Sequence, residues 1–193
     1  MMARKEDGKL IILISGPHAS GKTTVAIAIA ERLGLRYISA GEIFRQMAKE
    51  MEMSLVEFTR YVESNPDIDH EIDERMFKEM LSGNIVVDSQ LAYYFSKKIE
   101  DKQFTIIRIM IYADLEERVR RLMEREGVSR EEAIEEIRVR EESERKRFKE
   151  LYGIDLWSID DFDVIINTSN LALDQMVELC VHIIEKMIEL KSK

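Results

Sequence analysis

The chain is short of cysteine. Cys180 is the only one, so no disulfide can form within the chain, and a reducing compartment is expected. Its place in an apolar helical run assigns it to a core rather than to nucleophilic chemistry. Proline is nearly as scarce, with 2 residues, and Gly numbers 8 in 193. No linker rich in Pro, Gly or Ser divides the sequence, and no repeat or low-complexity segment appears. One domain with inserted helical subregions is the simplest organisation. No apolar run approaches the roughly 20 residues of a membrane span. Met1 to Lys9 carries no apolar stretch of signal-peptide length. A cytoplasmic chain that meets no membrane is expected. Positive charge is also in deficit, with 29 Lys and Arg against 38 Asp and Glu, a formal net charge of −9. That balance argues against a nucleic-acid partner but leaves room for a local anion site. His18, His70 and His182 lie far apart and form no metal-ligand spacing.

What is present gathers in one stretch, Leu10 to Thr24. Leu10-Ile11-Ile12-Leu13-Ile14 is a wholly apolar run of buried-strand length. Gly16, Gly21, Lys22 and Thr23 then satisfy G-x-x-x-x-G-K-S/T, and Val25 to Ala30 continues as helix. Glycine lets the backbone turn so that several N–H groups can meet one phosphate. The helix opening at Gly21 adds unpaired N–H groups and the positive end of its dipole. Lys22 is the cation for the β- and γ-phosphates, and the Thr23 hydroxyl can ligate Mg²⁺. His18 either touches a phosphate or faces solvent.

The rest of the chain alternates strand and helix. The strands expected after the first are Leu35–Ile38, Ile85–Asp88, Thr105–Tyr112 and Phe162–Ile166. Ser39 with Glu42, Ser54 with Glu57, and Ser129 with Glu132 read as capping boxes, and Asp114 as a further N-cap. Asn65-Pro66-Asp67 breaks the helical stretch between Ser54 and Leu81. Such alternation predicts a parallel sheet with right-handed crossovers and helices on both faces. Tyr93-Tyr94-Phe95, Tyr152 and Trp157 are read first as packing residues.

The helix from Ser129 to Leu151 has a broken stripe. Ile134, Ile137, Phe148 and Leu151 share one face, but Glu141 and Glu144 fall on that face between them. Arg138 and Arg145 lie to one side of the stripe, and Arg140 and Arg147 to the other. A charged interval in a core-facing helix is expected to stand off the body. Guanidinium groups match phosphoryl oxygens with paired hydrogen bonds, so an arginine-bearing lid over the phosphates is expected. A solvated helix laced with Glu–Arg pairs is the alternative.

Several runs occur in order: Gly16 to Thr24, Ser39-Ala40-Gly41-Glu42-Ile43-Phe44-Arg45, Asn65-Pro66-Asp67-Ile68-Asp69, Arg140 to Phe148, Tyr152-Gly153-Ile154-Asp155 and Val164 to Ser169. Together they resemble the archaeal cytidylate kinases, within the nucleoside monophosphate kinases. The resemblance spans Leu10 to about Glu185. It implies transfer of the ATP γ-phosphate to CMP or dCMP. It implies a three-layer α/β/α phosphate-loop fold, with a five-stranded parallel sheet of order 2-3-1-4-5. The core would be about 9–38, 84–127 and 160–193, the monophosphate-binding region about 39–82, and the lid about 128–158.

Carried onto this sequence, the resemblance places ATP on Gly16, Pro17, His18, Ala19, Ser20, Gly21, Lys22, Thr23 and Thr24. It places the acceptor on Ser39, Gly41, Arg45, Asp88 and Gln90. Lys22, Arg140, Arg145 and Arg147 would be the catalytic cations, and Thr23 and Asp88 would hold Mg²⁺. Asp88 has another reading, as a helix N-cap. Small nucleotides would be the partners, and the chain would act as a monomer. The sequence departs from its relatives at Ala19, where glycine is frequent. It departs again at Ser89-Gln90-Leu91-Ala92-Tyr93, where a Gly-Arg-Leu-Ala-Gly-type run is common. Gln90 therefore lacks an expected positive charge. Other acceptors (AMP, UMP or shikimate) and a non-kinase nucleotide switch are the competing readings.

Overall fold

The alternation of strand and helix becomes a five-stranded parallel sheet, in the order β2-β3-β1-β4-β5 that the family resemblance implies. The computed structural model describes residues 9–191. Of the stretch Met1 to Lys9 read above, residues 1–8 lie outside the described residues, as do residues 192–193. The strands are β1 (Lys9–Ser15), β2 (Arg36–Ser39), β3 (Ile85–Asp88), β4 (Phe104–Tyr112) and β5 (Val164–Asn167). The helices are α1 (Lys22–Leu33), α2 (Ala40–Glu50), α3 (Leu55–Glu63), α4 (Asp67–Ser82), α5 (Ala92–Ser96), α6 (Leu115–Glu126), α7 (Arg130–Tyr152) and α8 (Leu173–Lys191). Among the described residues, no helix is long and apolar enough to cross a membrane.

β1 is central because both of its faces are covered. Ile12 and Ile14 pack with Val25 and Ile29 of α1 and with Met176, Cys180 and Ile184 of α8. Ile11 and Leu13 face the other layer, against Ile72, Met76 and Met80 of α4 and Phe95 of α5. Fully burying one such side chain contributes roughly 1.5–3 kcal/mol, which explains why the run has no polar member. Cys180 and Tyr93 are buried, as their packing assignments require.

The boxes at Ser54 and Ser129 form completely, each serine accepting from the N3 amide and each glutamate reaching back. At Ser39 half the box forms. Its hydroxyl accepts from Glu42 N at 3.2 Å, while Glu42 Oε1 accepts from the Tyr37 hydroxyl at 3.3 Å. Element ends shift by a few residues: α5 covers Ala92–Ser96 rather than Leu91–Lys98, and β5 starts at Val164 rather than Phe162.

The strand order reverses beside β1. The chain passes from β1 through α1 to the edge strand β2, and later from β3 across β1 to β4. The register sets Ile14 against Asp88 and Ser39 against Asp88, so the C-terminal ends of β1, β2 and β3 meet. Open parallel sheets bind ligands at such a point, outside the carboxyl ends of their strands.

Candidate active site

The loop from Gly16 to Gly21 turns over the end of β1. A Cβ on Gly16 would lie 2.0 Å from the Ile111 carbonyl oxygen, so only glycine fits between the loop and β4. Ala19 sits at φ 59, the left-handed region where glycine is at ease. Gly21 precedes α1 at φ 97 and supplies no side-chain cap, leaving the helix's first amides to the loop side. Cations hold the loop carbonyls. Lys22 Nζ donates to Pro17 O at 3.0 Å, Arg118 Nη1 to His18 O at 3.1 Å, and Arg121 Nη1 to Ser20 O at 2.7 Å. Burial pushes the Lys22 ammonium below its ordinary pKa, while Asp88 and Glu144 act in the opposite direction.

At the end of β3, Asp88 Oδ2 accepts from the Thr23 hydroxyl at 2.6 Å and from the Ser39 hydroxyl at 3.4 Å. The alternative role as an N-cap is not adopted: α5 starts after Leu91 with no side-chain cap. Gly41, Arg45, Asp88 and Gln90 all line one cleft with His18, Ala19, Gly21, Lys22, Thr23 and Thr24. Strand register and loop geometry therefore unite groups that are far apart in the chain.

α7 corrects one expectation. Its charged interval does not stand off the body but lies on the phosphate loop. Arg140, Ser143 and Arg147 are buried. Glu141 Oε1 accepts the His18 backbone N–H at 3.1 Å and pairs with Arg118. Glu144 Oε2 lies 2.9 Å from His18 Nε2. Burial, with Arg140 next, lowers the His18 pKa to about 4, so the imidazole is neutral at pH 7 and does not face solvent. Burial disfavours the Glu144 carboxylate, but His18, Arg140 and Arg147 outweigh it and take its pKa down to about 2. Arg140 and Arg147 line the cleft. Arg138 and Arg145 are exposed: Arg138 pairs with Glu135 and Glu142, and the Arg145 guanidinium lies 5.4 Å from the Trp157 ring.

The profile of the cytidylate kinase-like family matches residues 11–170. The chain is 44% identical over 161 residues to the cytidylate kinase of Pyrococcus horikoshii, covering 83% of this chain and 81% of that one. It is 40% identical over 168 residues to the cytidylate kinase of Ignicoccus hospitalis, covering 87% and 95%. This chain belongs to the cytidylate kinase-like family. Among solved structures, a shikimate kinase from Bacteroides thetaiotaomicron superposes with a TM-score of 0.57 at 15% identity, covering 94% of this chain and 99% of that one. A putative kinase from Chloroflexus aurantiacus superposes at 0.59 and 19%, covering 95% and 99%. At that identity the likeness concerns the fold alone.

In this family member the fold also brings in residues that sequence reasoning missed. Arg118 and Arg121 brace the phosphate loop from α6, yet their i,i+3 spacing reads only as a charged helix face. Asp69 and Asp73 follow the α4 stripe of Ile72, Met76 and Met80 to its N-terminal end, where the helix wall becomes the cleft wall. Asp69 is paired: Arg147 Nε donates to its Oδ2 at 2.7 Å. Asp73 has no such cation among the described residues and accepts from the Tyr152 hydroxyl at 2.8 Å.

Burial pushes the Asp73 pKa up to about 7 from 3.8, with the Tyr152 hydrogen bond and Arg147 opposing and Asp69 assisting. The folded carboxyl thus keeps its proton to higher pH than the unfolded one. Its contribution to stability is full below the ordinary carboxylate range and is lost as pH rises through about 7. Asp73→Asn is expected to raise stability by about 2–3 kcal/mol more at pH 8 than at pH 5. Thermal melts at the two pH values check this, and an equal offset at both would remove the titration.

Proposed function

We propose that this chain transfers the γ-phosphoryl group of ATP to CMP or dCMP, giving ADP and CDP or dCDP. The observation that carries the reading is the convergence on one cleft of the phosphate loop, Arg45, Arg140 and Arg147, in a chain of this family. Lys22 and the amides of Gly16 to Thr24 would hold the ATP phosphates. Arg45 would hold the phosphate of the acceptor, with Ser39, Gly41, Asp88 and Gln90 around it. Arg140 and Arg147 would neutralise charge on the transferring group. Arg145 would join them only by leaving Trp157. The acceptor oxygen is already anionic, so in-line transfer needs positioning and charge stabilisation rather than a general base.

Mg²⁺ fits the residues present. Thr23 and Asp88 offer hard oxygen donors already held together at 2.6 Å, and such ions take their remaining ligands from water and substrate phosphate. When bound, the ion would draw charge from the phosphate oxygens. In this reading residues 128–158 act as a lid, 39–82 bind the monophosphate, and the remainder is the core of a cytoplasmic, monomeric enzyme. Closure of the lid would keep water from accepting the phosphoryl group.

A panel of CMP, dCMP, UMP, AMP and shikimate with ATP and Mg²⁺, read by ADP formation, tests the reading. CMP or dCMP should be used best, and ADP should not form without an acceptor. Acceptor-independent ADP release would point to a switch instead. Arg45→Ala is expected to raise the CMP KM about 10- to 100-fold, the worth of a charge-assisted hydrogen bond, with the ATP KM unchanged. An unaltered CMP KM would take Arg45 out of the site.

A further inference from the structure

The loop after β3 carries a side chain whose two polar atoms stand in different situations. Gln90 lines the cleft, and its Oε1 accepts a hydrogen bond from Trp157 Nε1 at 3.2 Å. An indole nitrogen only donates, so its partner must be the amide oxygen, and the orientation of the carboxamide is decided by chemistry. Nε2 is buried and meets no acceptor among the described residues. A buried donor without a partner is costly and marks a place where a further group is awaited. The backbone beneath is fixed as well, since the Ser15 hydroxyl donates to the Gln90 carbonyl at 3.1 Å.

Trp157 is itself held under constraint. It sits at φ 66, a conformation that side chains with a Cβ rarely adopt. Such a conformation persists where the surroundings over-determine it, and it often accompanies function. The Arg145 guanidinium covers its ring at 5.4 Å. Trp157 is not among the residues lining the cleft, so it reaches the cleft only through Gln90.

We propose that Trp157 is a positioning residue: its indole N–H pins the Gln90 carboxamide so that Nε2 donates to an oxygen of the nucleoside monophosphate. The proposal rests on the acceptor reading above. The physical need follows from the chemistry of a carboxamide at position 90. A guanidinium offers donors whichever way it turns, whereas a carboxamide that flips presents its oxygen to an anionic ligand and repels it. An orienting donor removes that wrong state. It also links α7, through Arg145 and Trp157, to the acceptor side of the cleft.

The test is calorimetric titration of CMP into the full chain, its Trp157→Phe and Gln90→Leu variants and the double variant, with a melt of each to show folding. Phenylalanine keeps a ring for Arg145 to cover and loses only the N–H donor. Each single change should raise the CMP Kd roughly 3- to 10-fold, the worth of one hydrogen bond. The double variant should bind no more weakly than Gln90→Leu alone, because both changes remove the same contact. The ATP Kd should not move. Trp157 is the only tryptophan, so its emission should respond to CMP in the parent and less in Gln90→Leu. Parent-like CMP binding by Trp157→Phe, or losses that add in the double variant, overturns the proposal alone. A parent that binds ATP and not CMP overturns the acceptor reading and this proposal with it.

Discussion

Lys22→Ala should lower kcat by about 10²- to 10³-fold, the scale seen when one preorganised charge donor is removed from a transition state. The fold should survive. Lys22 is half-buried, and desolvation holds its pKa down. The unfolded chain therefore binds its proton more tightly than the folded one. That mismatch disfavours the native state fully below the folded pKa, and the penalty fades as pH rises toward the ordinary lysine value. Removing the ammonium lifts the penalty at pH 7, so the melting temperature should stay level or rise. A collapse in stability would make Lys22 structural, and normal turnover would remove its catalytic role. Activity and stability should thus move independently at this position, which separates a ligand-directed cation from a packing one.

Arg147→Ala should do the reverse and unfold the cleft wall. Its Nε donates to Asp69 Oδ2 at 2.7 Å, and both side chains are buried, at 5% and 6% exposure. Breaking a buried pair from one side leaves the other charge unsatisfied, at about 3–5 kcal/mol. For a chain of this size that corresponds to a fall in Tm of about 10 °C. Asp69 already has its pKa raised by burial against the pull of Arg147. Without Arg147 it should move higher still and take up a proton. Replacing both partners together, as Asp69→Leu with Arg147→Met, should restore most of the lost stability but not phosphoryl transfer. If the double variant melts as low as Arg147→Ala, packing rather than the orphaned charge explains the loss.

The elements most legible in the sequence were those that depend on near neighbours. The apolar run Leu10 to Ile14 could only be a strand buried on both faces, and the structure covers both. Capping at Ser54 and Ser129 involves groups three residues apart, so it formed as read. Ser39 lost half its box because Tyr37, on the strand before it, offered Glu42 another donor. Asp88 had two readings from sequence because an acid at a strand end can cap the next helix or face a loop. The β1–β3 register resolved the choice by setting it beside Thr23.

The α7 helix shows where local reasoning ends. Its carboxylates broke the apolar stripe, and a broken stripe reads as solvent exposure. That holds only when no charge waits across the interface. Here the His18 amide and imidazole and the Arg118 guanidinium meet Glu141 and Glu144, so the interval packs. Helical phase correctly placed Arg140 and Arg147 on one side and Arg138 and Arg145 on the other, but could not say which side faced the cleft. The Trp157–Gln90 contact spans 67 residues and had no signature at all.

By itself the sequence determined the phosphate-loop strand, turn and helix and the parallel α/β architecture, because these follow from short-range spacing and hydrophobic period, while the family rested on the resemblance of its ordered motifs. The tertiary structure alone decided which charges are buried, which arginines face the cleft and what holds Gln90. Those outcomes are set by partners that meet only after the sheet has assembled, and by the cost of leaving any of them unpaired away from water.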